Sequence, residues 1–270
     1  MSSNLLTFWG HVEVLRKMLF RIIVVVFAIT IVAFFFKTPI FAVIFAPQSA
    51  DFVTFRLLRQ LGEYFSFHFA FSDNSAFHLV STQLTSQFLI HIKVTLYTAL
   101  LLTAPYIVYQ LYGFISPALY TKEKKYTTYL IFMSFLFFFL GALLSYFVVF
   151  PFSFRFLANY QISETVENMF TINSYIDTFL LITLLLGILF ELPVLAWILA
   201  KIGVLKVSLL KKYRKHALVL ILILSAIITP TTDIFTLLLV SVPVFLLYQL
   251  SISIVKSVER KQIGMKIVTV

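Results

Sequence analysis

Six long apolar runs, separated by short polar or basic segments, limit what this chain can fold into more than any other feature. They occupy about residues 18–36, 87–109, 127–150, 175–200, 216–229 and 234–255. A helix of about 20 apolar residues matches the roughly 30 Å hydrocarbon core of a bilayer, where the backbone has no hydrogen-bond partner but itself. Composition agrees: 61% of the 270 residues are hydrophobic and 12% charged, against about 25% charged in a soluble domain. The first run exceeds the roughly 7–15 apolar residues of a secretory signal, and five more follow, so it reads as a retained span. The expected fold class is all-α: a polytopic membrane protein of six transmembrane helices, forming a single membrane domain over 1–270.

Apolar side chains at Leu5, Phe8, Trp9, Val12, Leu15 and Leu19 predict a short amphipathic helix at the membrane surface, after which the chain turns into the first span. Residues 37–85 are too polar to span. Within them Phe52, Phe55, Leu58, Leu61 and Phe65 recur at helical spacing, predicting a second amphipathic helix on the outer surface or against the bundle. Pro105 lies inside the second span, where a kink is expected. The third span is expected to stop at Pro151, with an outside loop over 152–173. The fifth run, His216 to Thr229, is 14 residues and reaches about 21 Å, well short of the hydrocarbon thickness. Either its basic flank snorkels or the bilayer thins around it. There is no internal repeat and no low-complexity segment.

Lys and Arg set the orientation. Sixteen of the 21 fall in four alternate segments, Arg16–Arg21, Lys122–Lys125, Lys201–Lys215 and Lys256–Lys266. Most acids fall on the other side, so both termini are expected in the cytoplasm. The net charge of +10 is explained by this asymmetry and implies no nucleic-acid partner. The absence of cysteine excludes disulfides, Cys-based metal sites and a thiol nucleophile. The five histidines show no metal-ligand spacing, and neither HExxH nor GxSxG occurs. The chain is not expected to be an enzyme or to hold a cofactor.

Few residues are left to carry chemistry. Glu191 lies ten residues before Lys201, about 15 Å in from the span boundary, and an acid at that depth marks a functional site by default or ties helices together. Glu123 stands among Lys122, Lys124 and Lys125 in the loop after the second span. Its ionised carboxylate could accept an arginine bidentately, although a solvated surface acid is the ordinary reading. Glu13, beside Arg16, has the same two readings. Gln110 and Gln249 sit near span ends, and Asp233 is placed to cap the sixth helix. A proton-coupled small-solute transporter using Glu191 as carrier is the alternative function; it predicts inverted repeats and matched broken helices, which the sequence does not display.

Six ordered stretches resemble the TatC family, the multispanning core of the twin-arginine protein translocase. FWGHVEVLRKML (Phe8–Leu19) is similar to the family's N-terminal F-x-x-H-L-x-E-L-R-x-R-L. YQLYGFISPALYTKEKK (Tyr109–Lys125) resembles its first cytoplasmic loop, and FVVFPFSFRFL (Phe147–Leu157) its third-span exit. FELPVL (Phe190–Leu195), KKYRKHALV (Lys211–Val219) and ITPTTDIFT (Ile228–Thr236) complete the set. The resemblance implies a receptor that binds signal peptides bearing consecutive arginines and recruits single-span TatA-like and TatB-like partners. Folded precursors would cross a bacterial inner membrane, or an organellar one, on the proton-motive force. It implies signal-peptide binding by Glu123, Glu13, Arg16, Phe114, Gln110 and Tyr120. Partner docking falls to Glu191, Asp233 and Gln249, alongside self-association and contact with lipids. One departure stands out: the family's N-terminal Glu falls on Val14, while Glu13 is one residue earlier, about 100° away around the helix.

Overall fold

In the computed structural model the described residues are 8–49, 51–65, 79–115, 127–160, 163, 168–228 and 233–268. Eleven α-helices occur among them: α1 (Phe8–Phe35), α2 (Lys37–Phe45), α3 (Val53–Phe65), α4 (Ser86–Ile115), α5 (Thr127–Leu144), α6 (Phe150–Asn159), α7 (Ile172–Leu189), α8 (Leu192–Lys201), α9 (Val207–Lys212), α10 (Arg214–Ile228) and α11 (Ile234–Val268). Two short strands, β1 (Leu79–Val80) and β2 (Phe170–Thr171), pair in parallel with Leu79 opposite Phe170. The protein is thus all-α in class, and among the described residues six stretches are long and apolar enough to cross a membrane. They are Val12–Phe35, Lys37–Glu63, Ser86–Leu111, Tyr129–Asn159, Ile172–Lys201 and Ile234–Arg260.

Five of these overlap the expected runs, and the expected fifth run falls on the shorter α10; the remaining stretch is Lys37–Glu63, which was expected to be too polar to span. It is not one rod. A 3₁₀ turn at Ala46–Gln48 divides it into α2 and α3, of 9 and 13 residues, which reach about 13 and 20 Å. Arg56, Arg59 and Glu63 charge one side of α3, while Phe52 and Phe55 are buried, the amphipathic pattern expected of a surface helix. The fifth expected run forms α10, whose 15 residues reach about 22 Å.

The chain divides into two compact units. The first comprises residues 1–37 and 91–136. Its α1 is one uninterrupted helix of 28 residues, so among the described residues no turn separates the expected surface helix from the first span. No proline breaks the stretch, and Gly10 falls in its first turn, so nothing stops the helix between its charged start and apolar body. Met18, Val26 and Ala33 are buried at spacings of eight and seven, forming one stripe, while Phe20, Ile23, Phe27 and Ile31 point away. On α4 the buried hydroxyls of Thr95 and Thr103 donate to the carbonyls of His91 (2.9 Å) and Ala99 (2.7 Å), so neither is unsatisfied in an apolar setting. Pro105 lies within the continuous α4.

The second unit comprises residues 38–90 and 137–270. Pro151 does not end the third span as expected. A π-helical turn, Ser145–Val149, joins α5 directly to α6, and the helix runs on to Asn159. Proline removes the donor that would serve the carbonyl four residues back, Phe147. The Thr54 hydroxyl supplies it instead, at 2.5 Å. The last-turn carbonyls of α2 are satisfied similarly: Val43 accepts from Tyr146 Oη (2.8 Å) and Ile44 from Tyr175 Oη (2.9 Å). α5 and α7 cross at glycines, since a Cβ on Gly141 would lie 2.6 Å from the Leu186 carbonyl oxygen and 3.0 Å from Gly187 Cα. Beside that crossing, Ser145 Oγ and Thr183 Oγ1 share a buried hydrogen bond of 2.9 Å.

The fourth expected span is two helices. Phe190 and Glu191 form a turn between α7 and α8 ahead of Pro193. Further on, Gly203 (φ 84°) ends α8: the Gly203 amide donates to Ala200 and the Val204 amide to Leu199, both at 3.0 Å, the paired bonds of a Schellman stop. Ala196 and Ala200 of α8 pack with Val255 and Val258 of α11, covered by Trp197, Leu205, Val207 and Leu210.

Candidate functional site

Of the residues expected to read a signal peptide, Glu123 and Tyr120 lie outside the described residues, as does the Phe114 side chain, whose backbone lies in the last turn of α4. Gln110 is one turn earlier on α4, half-buried, and its Nε2 donates to Tyr106 Oη at 2.7 Å. Glu13 and Arg16 are both exposed on the first turns of α1. Glu13 pairs with Lys17 at 2.7 Å, and the two side chains are 56% and 61% exposed. Val14, where the family carries its acid, is 42% exposed. Both neighbouring directions around the helix are therefore open, and the 100° offset does not bury the Glu13 carboxylate.

Glu191 is half-buried at the α7–α8 break. Its amide donates to Ile188 (3.0 Å), and its carbonyl accepts from Val194 (3.0 Å) and Leu195 (2.9 Å), so the backbone turns without losing its ladder. Proline at 193 favours a helix start there, which puts the acid at the first residue before α8. Asp233 caps α11: Oδ1 accepts from the Thr236 amide at 2.6 Å and its carbonyl from Leu237 at 3.1 Å. Gln249 lies sixteen residues further along α11, about 24 Å away. With its carbonyl oxygen toward the guanidinium, Gln249 accepts from Arg214 Nε (2.8 Å) and Nη2 (2.9 Å). Asp233 and Gln249 thus lie at opposite ends of the apolar stretch of α11 and about 160° apart around it, so they form neither one cluster nor one face.

Two charged residues matter more than sequence reasoning allowed. Glu259 was hidden in the basic tail; its Oε1 accepts from the Val207 amide at 2.8 Å, capping α9 and tying it to α11. The signal was a lone acid, VERK, inside a run of cations. Arg155 is 5% exposed on α6, its guanidinium 3.6 Å from the Phe55 ring centroid and its Nη2 3.5 Å from the Ser49 carbonyl. It fastens α3 over α6, together with Phe52 stacked on Phe147 at 5.8 Å. The visible signal was an arginine embedded in FSFRF. Among the described residues no group of His, Asp or Glu is arranged to hold a metal ion.

Residues 10–243 match the family model described as TatC, Sec-independent protein translocase protein. The Sec-independent protein translocase protein TatC of Blattabacterium sp. subsp. Periplaneta americana is 37% identical over 97% of this chain and 99% of its own length. The TatCy protein of Bacillus subtilis is 30% identical over 97% of this chain and 93% of its own. Two crystal structures of a twin-arginine translocase receptor TatC share the fold. One has a TM-score of 0.70 at 29% identity, covering 92% of this chain and 99% of that one. The other, determined in a maltoside detergent, has a TM-score of 0.72 at 30% identity, with 90% and 97% covered. A match of this extent, on a helical framework of the same architecture, makes the chain a multi-pass membrane component of a protein-transport machine and not an enzyme: it belongs to the TatC family of Sec-independent protein translocases.

Proposed function

We propose that this chain is the receptor subunit of its translocase, binding twin-arginine signal peptides with a surface built from Glu123, Glu13, Arg16, Phe114, Gln110 and Tyr120. The observation that carries this reading is the family match over 10–243, which includes the loop motif containing Glu123 and most of the N-terminal motif containing Glu13. The exposed Glu13 carboxylate supports it, since a guanidinium can approach without displacing a packed side chain. The signal's two arginines pair with Glu123 and Glu13 in the headgroup zone, where weak hydration makes each pair worth more than an exposed one. TatA-like and TatB-like single-span helices, other copies of this chain and lipids dock at separate positions marked by Glu191, Asp233 and Gln249. Both termini lie in the cytoplasm of a bacterial inner membrane, and the proton-motive force drives folded precursors across. Family membership argues against the solute-transporter reading, although the broken helix at Glu191 is a feature such a carrier would share.

Complementation tests it. A strain lacking its own TatC and expressing this chain with matched TatA-like and TatB-like partners should export a folded reporter bearing a twin-arginine signal, and not one whose arginines are changed to lysines. Export that ignores the arginines, or solute uptake lost in Glu191→Gln with export intact, would contradict it.

A further inference from the structure

Facing stripes of α10 and α11 leave an open apolar groove of about 310 Å³. Leu218, Ile221 and Leu222 line it from α10, and Leu238, Val242 and Phe245 from α11. Arg214 precedes Leu218 by four residues and Gln249 follows Phe245 by four, so on each helix the next turn of the same stripe is polar. These two residues meet at the groove's mouth. The Arg214 guanidinium lies 5.6 Å from the Phe245 ring centroid and donates to the Gln249 oxygen at 2.8 and 2.9 Å. Gln249 is neutral and leaves the cation uncompensated, and among the described residues no carboxylate ion-pairs with Arg214. Lys211, Lys212 and Lys215 add exposed positive charge around the same mouth.

We propose that this groove is a binding site for an anionic phospholipid. One acyl chain lies between α10 and α11, and the phosphodiester rests on Arg214 within the Lys211–Lys215 cluster. The apolar lining alone selects nothing, because lipid tails are as apolar as leucine and any chain fills it equally well. The mouth makes the site selective. Arg214 is held by Gln249 and Phe245 in one orientation, with donors left over for phosphate oxygens. The short α10, about 22 Å long, brings this basic end down to the headgroup boundary instead of leaving it in water. The proposal does not rest on the receptor reading, because Gln249 serves here by orienting Arg214.

Native mass spectrometry of the full chain, delipidated in detergent and titrated with dioleoylphosphatidylglycerol or dioleoylphosphatidylcholine, tests it. The phosphatidylglycerol adduct should persist at roughly fivefold lower lipid concentration, the scale of one basic residue facing an anionic lipid. Arg214→Gln should erase that preference and Arg214→Lys should retain most of it, both eluting monodisperse like the parent. Val242→Trp, which fills the groove while leaving the mouth intact, should reduce retention of the phosphatidylglycerol adduct. Equal retention of both lipids by the parent chain, or a preference unchanged in Arg214→Gln, would overturn the site. So would a photo-crosslinker at Val242 that captures a polypeptide and no lipid.

Discussion

At Arg155 a guanidinium is removed from water, stacked 3.6 Å from Phe55 and directed toward the Ser49 carbonyl, so it joins the two ends of the cap formed by α3 and α6. A desolvated contact of this kind contributes about 2 kcal/mol. Arg155→Ala should therefore lower the thermal midpoint in detergent clearly, and Arg155→Lys should recover little of it, because an ammonium neither stacks flat nor forks. An unchanged midpoint in Arg155→Ala would remove Arg155 from the framework. Glu13 presents the opposite case. Its pair with Lys17 is exposed and screened by solvent, so it adds little to stability. Glu13→Gln should leave yield and midpoint alone while weakening capture of a twin-arginine peptide, and a loss of folding instead would show that Glu13 is structural. Glu259→Ala should free the start of α9 at a loss of about 1–2 kcal/mol, seen as faster amide exchange over 207–212.

Prolines divide the helices in ways that depend on what receives the released carbonyl. Pro151 was legible in the sequence as a break, yet α5 passes into α6 through a π turn because Thr54, 93 residues from Phe147, replaces the lost donor. No local pattern reveals a partner that distant. Thr54→Val, nearly isosteric, should leave the Phe147 carbonyl unsatisfied and lower stability by about 1–3 kcal/mol, whereas Thr54→Ser should stay near the parent. Pro193 was also visible, but the split into α7 and α8 depends on how the Phe190–Glu191 turn closes. The α5–α7 crossing admits no side chain at Gly141, so Gly141→Val should destabilise the unit far more than a valine at Gly113, where a Cβ meets nothing within 4 Å. Comparing the folded yields of the two variants checks it.

Across the whole molecule, apolar runs and charge bias made the fold class readable, because the bilayer allows few alternatives to a helix bundle. They marked the fifth run as short and 37–85 as too polar to span, but not the 3₁₀ turn that divides Lys37–Glu63 into α2 and α3, since that depends on where turns interrupt a run. The candidate site was legible only as motifs: Glu13 lies one residue before the position the N-terminal resemblance pointed to and Gln110 lies in the loop motif, while Glu259 and Arg214 gained roles solely through neighbours far along the chain. The lysine and arginine count predicts an orientation that can be measured without first removing native thiols, as the chain has no cysteine. Single cysteines at Lys212 and Lys261 should be shielded from an impermeant maleimide added to intact cells, and one at Ser163 should react. The reverse pattern would invert the topology.

The receptor reading stands or falls at Glu123. A twin-arginine signal peptide carrying a photo-crosslinker beside its arginines should crosslink to membranes containing this chain. The crosslink should weaken at least tenfold in Glu123→Lys and largely return when that variant's peptide carries acidic residues in place of the arginine pair. Undiminished crosslinking of the twin-arginine peptide to Glu123→Lys would contradict the account.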